Sequence, residues 1–210
     1  MRKLTCLLLV LVMALAVVGC APKPTPTDPT PPPPVETTLV VGTAEISGNF
    51  LSGFGNNAYD VMVRNLVFGY ETYSTTPAGE IVLNSTVVKD LKNATDADGN
   101  KTYTFPIHED LLWNDGSPVT AKDYVFYVLW YANPAWVEAG ATSTVGEGLL
   151  GYADYKSGDA DVFSGVQLLG DYQFSLTIDA EELPYFFETT YVSSTPQPMA
   201  VWAPDATIES

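Results

Sequence analysis

The stretch TYTFPIHEDLLWNDGSPVTAKDYVFYVLWYAN, residues 102–133, holds a strand, a reversal and a helix in one unbroken run. Tyr103, Phe105 and Ile107 alternate with Thr102, Thr104 and Pro106, so an extended chain places its bulky apolar groups on one face. Asn114-Asp115-Gly116-Ser117-Pro118 then forces a tight reversal, in which Gly116 takes positive φ at no steric cost. Thr120 stands where a helix N-cap belongs. Asp123 completes a capping-box-like pair with it and sets negative charge at the helix's positive end. Tyr124, Val125, Val128 and Leu129 recur at helical spacing until Asn133-Pro134 ends the run. Strand, turn and helix therefore form one folded unit.

Upstream of it, Asp96-Ala97-Asp98-Gly99-Asn100 reads as the turn of a hairpin. Its acids do not make a calcium loop, because a closing glutamate is required at the twelfth position and Ile107 stands there. Tyr70 to Asp90 reads as short strands with a turn at Pro77-Ala78-Gly79. Ala58 to Phe68 reads as a helix with Asp60 near its start and Gly69 after its end, preceded by a Gly/Asn-rich loop from Ser52 to Asn57. Leu39-Val40-Val41-Gly42 reads as a short buried strand.

Downstream, the run Gly140 to Gly146 lacks a phosphate-loop lysine and the Walker spacing, which excludes a nucleotide site of that kind. Tyr152 to Tyr155 suggests a short helix stopped at Gly158. Two strands follow, Phe163 to Gln167 and Tyr172 to Ile178, joined around Gly170-Asp171. Asp179, Glu181 and Glu182 precede Leu183-Pro184-Tyr185-Phe186-Phe187, read as an aromatic helix start that favours acids at its N-terminus. No nucleophile, base and orienting group accompany these carboxylates, so the pattern names no catalytic residue and no enzyme.

Composition narrows the classes further. The 210 residues are 46% hydrophobic, enough for a real core, and carry a formal net charge of -16. Such a surface repels nucleic acid. Cys6 and Cys20 lie before the folded part, and His108 is the only histidine, so the sequence offers no disulfide framework, no metal site and no cofactor motif. Residues 1–19 read as an export signal, with Arg2 and Lys3 ahead of the apolar run Leu4 to Val18. Val17-Val18-Gly19-Cys20 resembles a bacterial lipobox, which implies lipidation of Cys20 and anchoring to a membrane without spanning it. Residues 20–38 then form a tether rich in proline, extended at about 3.1 Å per residue.

Tyr103-Thr104-Phe105, Trp113, Asp115-Gly116, Pro118, Thr120-Ala121, Asp123 and Phe126 together resemble the signature of the family 5 extracellular solute-binding proteins. These are the oligopeptide-, dipeptide- and nickel-type receptors of ABC importers. In that likeness Trp113, Asp115, Gly116, Pro118, Thr120 and Asp123 serve the scaffold. The resemblance implies an α/β fold: the N-terminal lobe of a type II periplasmic binding protein, with a mixed sheet and without the C-terminal lobe that would close over a ligand. The chain is thus expected to be truncated at Ser210. Residues 39–210 would be that lobe, with 39–68 and 189–210 as a first subdomain and 69–188 as an inserted second one. By position, Phe54, Asn56, Asn57 and Tyr59 are the implied ligand contacts. The implied partners are a peptide or related small solute, an ABC permease and ATPase, and the membrane through the lipid. The function implied is an extracytoplasmic, lipid-anchored importer receptor. The alternative is a surface lipoprotein using the same scaffold for adhesion or signalling.

Overall fold

The structure is a computed structural model that describes residues 38–55 and 57–208. The export signal, Cys20, the tether up to Thr37, and Asn56 lie outside the described residues. In order, the elements are α1 (Ala58–Val67), β1 (Tyr73–Thr75), β2 (Ile81–Leu83), β3 (Lys92–Thr95), β4 (Lys101–Pro106), α2 (Ala121–Ala132), α3 (Pro134–Glu138), α4 (Tyr152–Ser157), β5 (Val166–Gly170), β6 (Gln173–Ile178) and α5 (Met199–Trp202). Short 3-10 turns occur at Ala180–Glu182 and Glu188–Thr190.

The alternation at the head of the quoted stretch becomes β4, the second strand of a four-stranded antiparallel sheet in the order β3-β4-β6-β5. Phe105 pairs with Phe174 and Tyr103 with Leu176, so the apolar faces of β4 and β6 coincide. Their rings stack, Phe105 on Phe174 at 5.0 Å and Phe174 on Tyr124 of α2 at 5.1 Å, both within 13° of parallel. Helix α2 lies across β5 and β6 and buries Tyr124, Val125 and Val128 against them, as its periodicity predicts. The Tyr124 hydroxyl donates to the Tyr70 carbonyl at 2.7 Å, and burial pushes its pKa well above the ordinary tyrosine value.

Buried polar groups fasten the loops to this core. The Thr120 N–H and hydroxyl donate to Asp123 Oδ2 at 2.8 and 3.1 Å, which is the acid half of the expected capping pair. Met199 N–H donates to the other oxygen at 3.2 Å, tying the start of α5 to the start of α2. Burial raises the Asp123 pKa against these bonds. Lys101 and the Tyr103 hydroxyl both donate to Glu188 Oε1, at 2.5 and 2.7 Å, and lower its pKa in that order of effect. At the β3–β4 turn Asp96 Oδ1 accepts from Asp98 N–H and Asn100 N–H at 2.9 Å each, so the carboxylate shapes the hairpin.

Ahead of α1 a carboxylate does similar work. Asn57 caps the helix, its Oδ1 accepting from Tyr59 N–H at 2.8 Å and Asp60 N–H at 3.4 Å. Asp60 is buried and gathers the preceding loop: it accepts from the N–H groups of Ser47, Gly48 and Asn49 at 3.0 to 3.3 Å and from the Ser47 hydroxyl. That hydroxyl, followed by the loop amides, holds the Asp60 carboxyl below the usual aspartate range despite burial.

Three expectations are corrected. Leu39 to Gly42 forms no strand among the described residues, and Leu39 and Val40 are 85% and 86% exposed. No edge of either sheet pairs with this run, and an apolar tetrapeptide without a partner has no ladder to join. The sheet implied as mixed is antiparallel in every pairing described, because β3–β4 and β5–β6 are joined by hairpins too short for a crossover. No helix starts at Leu183–Phe187. The turn falls earlier, at Ala180–Glu182, where Asp179 caps by accepting from Glu181 N–H at 2.9 Å. A cis Leu183–Pro184 bond then leads into an open segment with Phe186 exposed. By contact, residues 43–208 form one compact unit.

Two measurements test this account. Phe174→Ala removes the middle ring of the stack and is expected to cost about 3–5 kcal/mol in urea denaturation; a loss under about 1 kcal/mol would show that the stack is not the keystone. Asp60 has a lowered folded pKa, so its contribution is complete above the unfolded value of about 3.9 and disappears as pH falls through the folded value. Asp60→Asn should therefore lower stability at neutral pH, with the difference from the parent vanishing in acid. A carboxyl NMR midpoint for Asp60 at or above the unfolded value would contradict the geometry.

Candidate functional site

Two loops face each other across a cleft of about 590 Å³. One is residues 52–55, held from behind by the Asp60 cluster through Asn49, whose Oδ1 accepts from Leu51 N–H at 3.3 Å. The other is residues 140–144, which follows α3. Helix α3 starts at once after α2 because Pro134 suits a first helical position and Asn133 accepts from Ala135 N–H at 2.9 Å. The helical run ends at Asn133 as its sequence predicts, and the proline also opens a second short helix.

The walls touch at Gly53. Its carbonyl accepts from Thr142 N–H at 2.8 Å and from the Thr142 hydroxyl at 3.4 Å. Gly53 has φ +90°, and a Cβ there would stand 3.1 Å from the Thr142 carbonyl oxygen and 3.1 Å from Trp136 Nε1. Both the backbone angle and the close approach call for glycine. Beside this contact the Phe54 ring meets Trp136 edge-on, with centroids 5.1 Å apart. On the far wall Lys156 donates to the Ser143 carbonyl and to the Tyr152 hydroxyl, each at 2.6 Å, which fixes the loop's course.

The cleft does not end there. A cavity of about 390 Å³ shares Thr144 with it, and one of about 160 Å³ shares Ser52 and Arg64. Those two smaller cavities share Tyr127 and Thr195, so the three adjoin around the outer face of α2. Burial raises the Tyr127 hydroxyl to about 12, so it remains a neutral hydrogen-bonding group at any physiological pH. The lining offers hydroxyls, glycine main chain and aromatic faces. Such a lining suits an extended ligand whose own main chain needs partners.

Phe54 is the one expected ligand contact that the structure brings to the cleft wall. Asn57 and Tyr59 do not line it: the Asn57 side chain caps α1 and reaches the Glu45 carbonyl at 3.4 Å. Asn56 lies outside the described residues. The signature residues Trp113, Asp115, Gly116, Pro118, Thr120 and Asp123 line none of the three cavities. They build a turn, with Trp113 N–H donating to the Ser117 carbonyl at 2.8 Å and Asp115 accepting from the Ser117 N–H and hydroxyl at 2.9 and 2.6 Å. Sequence reasoning missed Arg64 and the 142–144 hydroxyls. Arg64 carried a usable signal, being the only arginine besides Arg2. Among the described residues no cluster of His, Cys, Asp and Glu is arranged to hold a metal ion, and no helix is long and apolar enough to cross a membrane.

Comparison with known proteins places this geometry in a family. The family model described as bacterial extracellular solute-binding proteins, family 5 Middle, matches residues 86–208. The oligopeptide-binding protein OppA of Lactococcus lactis subsp. cremoris SK11 is 42% identical over 67 residues, covering 32% of this chain and 11% of that protein. The periplasmic oligopeptide-binding protein OppA of Salmonella typhimurium is 27% identical over 177 residues, covering 72% of this chain and 31% of that protein. Lactococcal OppA, solved in a closed conformation with an endogenous peptide, superposes with a TM-score of 0.53 at 25% identity, over 75% of this chain and 29% of that one. This chain therefore spans less than a third of the length of these relatives. Its mixed α/β body has the fold of part of an OppA-type binding protein. On the match over residues 86–208, the chain belongs to the family 5 bacterial extracellular solute-binding proteins.

Proposed function

We propose that the protein captures oligopeptides outside the cytoplasmic membrane and delivers them to the permease and ATPase of an ABC importer. In this reading residues 1–19 direct export, Cys20 carries the lipid that anchors the chain, and residues 20–38 hold the binding body away from the membrane surface. Residues 39–68 and 189–210 form one subdomain and residues 69–188 the other. The observation that carries the reading is the run of three adjoining cavities walled by main chain and hydroxyls, in a family whose relatives are named for oligopeptide binding.

The physical logic is that of main-chain recognition. An extended peptide satisfies its N–H and C=O groups against a protein backbone, while roomy hydrated pockets accept varied side chains. Loop 52–55 and loop 140–144 supply such backbone, and Phe54 supplies an aromatic face. Gly53 keeps the two walls at their spacing.

Calorimetric titration with di- to octapeptides of neutral composition tests the reading. Saturable heat is expected for at least one length class. Gly53→Ala, which pushes Thr142 and Trp136 away, should weaken it about tenfold, equivalent to about 1.4 kcal/mol. Heat from no peptide at any length would overturn the assignment.

A further inference from the structure

Arg64 is the one arginine among the described residues. The sequence has two arginines, Arg2 and Arg64, in a chain of net charge -16. Arg64 is in the last turn of α1, on the wall common to the 590 Å³ and 160 Å³ cavities. Its Nη1 is buried and has no hydrogen-bond partner among the described residues. The ion pairs described are Lys89–Glu109, Lys92–Asp90 and Lys101–Glu188, and Arg64 enters none of them.

A buried charged donor without an acceptor is costly, and native proteins keep few of them. The surroundings favour an acceptor brought from outside. No carboxylate lines the larger cavity, whose other polar side chains are the hydroxyls of Ser52, Thr142, Ser143 and Thr144. Glu71 lines the smaller cavity without pairing to Arg64. Tyr131 also lines the smaller cavity; burial raises the pKa of its hydroxyl, and the nearby Arg64 charge works against that rise. A planar guanidinium flanked by hydroxyls and paired with no acid suits a carboxylate, which accepts two parallel N–H bonds from it.

We propose that Arg64, with the hydroxyls of Ser52 and Thr142, forms a carboxylate subsite in this cleft, filled by an acidic group of the bound peptide. The proposal rests on the peptide-binding reading for the source of the carboxylate but not for the existence of the subsite. Two sources carry the same chemistry, the C-terminus of a peptide and an Asp or Glu side chain.

The test has two arms. In the first, the side-chain Nε–H signals of the full chain are followed by NMR, with Arg64→Lys identifying the Arg64 resonance against that of Arg2. Sodium acetate is expected to shift the Arg64 signal saturably, and sodium chloride at equal ionic strength is not. Equal responses to the two salts would overturn the subsite whatever the peptides do. In the second, calorimetry compares tetra-alanine, tetra-alanine amide and Ala-Glu-Ala-Ala amide. One of the two carboxylate-bearing peptides should bind about tenfold tighter than the neutral amide. In Arg64→Gln that preference should vanish, the three peptides then binding with equal affinity to one another. Preference for tetra-alanine assigns the C-terminus, and preference for the glutamyl peptide assigns a side chain. A preference that survives in Arg64→Gln overturns the proposal. A saturable acetate response with no heat from any peptide supports the subsite and removes the peptide reading instead.

Discussion

Three stacked aromatic rings, two from residues 102–133 and one from β6, hold this protein together. Phe105 comes from β4, Phe174 from β6 and Tyr124 from α2, and they lie parallel at about 5 Å. All three are fully buried. A stack of this kind fixes not only that helix and sheet touch but also the height at which they touch, because flat rings slide with little freedom once their edges are packed. That height sets the outer face of α2. Tyr127, Tyr131 and the loops that meet around them take their positions from it. The groove is therefore a property of the reverse side of the core helix.

The groove differs in character from the surface around it. The body is strongly acidic, yet the 590 Å³ cavity is lined by glycine, hydroxyls, the Phe54 ring and a single guanidinium. Acid carboxylates elsewhere are given structural work: Asp60 gathers a loop, Asp96 shapes a hairpin, Asp123 joins two helices and Glu188 clasps the sheet. The sites built on these carboxylates are satisfied internally. What faces the groove is a set of donors and acceptors with room beside them.

Much of this was readable from residues alone, and for a definite reason. Where local signals and tertiary contacts agree, as in residues 102–133, the alternation, the Asn114–Pro118 turn and the Thr120–Asp123 pair all point to one answer. The helix beginning at Ala58, both hairpins and the strand at 173–178 were legible by the same logic, whereas the strand expected at 163–167 lies at 166–170 and runs into the glycine read as a turn. Leu39 to Gly42 was not, because an apolar run states only that it wants a partner, not that one is present. The site was harder still. Phe54 reaches the cleft, but Asn57 looks identical in sequence whether its amide caps a helix or greets a ligand, and the structure shows the cap. The 140–144 wall carried no motif at all. Its role comes from a glycine contact some 90 residues away in the chain, which no local pattern records.

The pairing of β4 with β6 has a bearing on how the chain is made. Six consecutive residues of β4 find their partners only in residues 173–178, long after β3 has supplied the other side. Until that later segment has emerged, β4 is an open edge with the rings of Tyr103 and Phe105 uncovered. Such an edge is adhesive toward any extended chain nearby. The loop that must close is long, so closure is slow compared with hairpin formation. A growing or clipped chain that stops short of Gln173 is therefore a sticky intermediate rather than a smaller version of the protein.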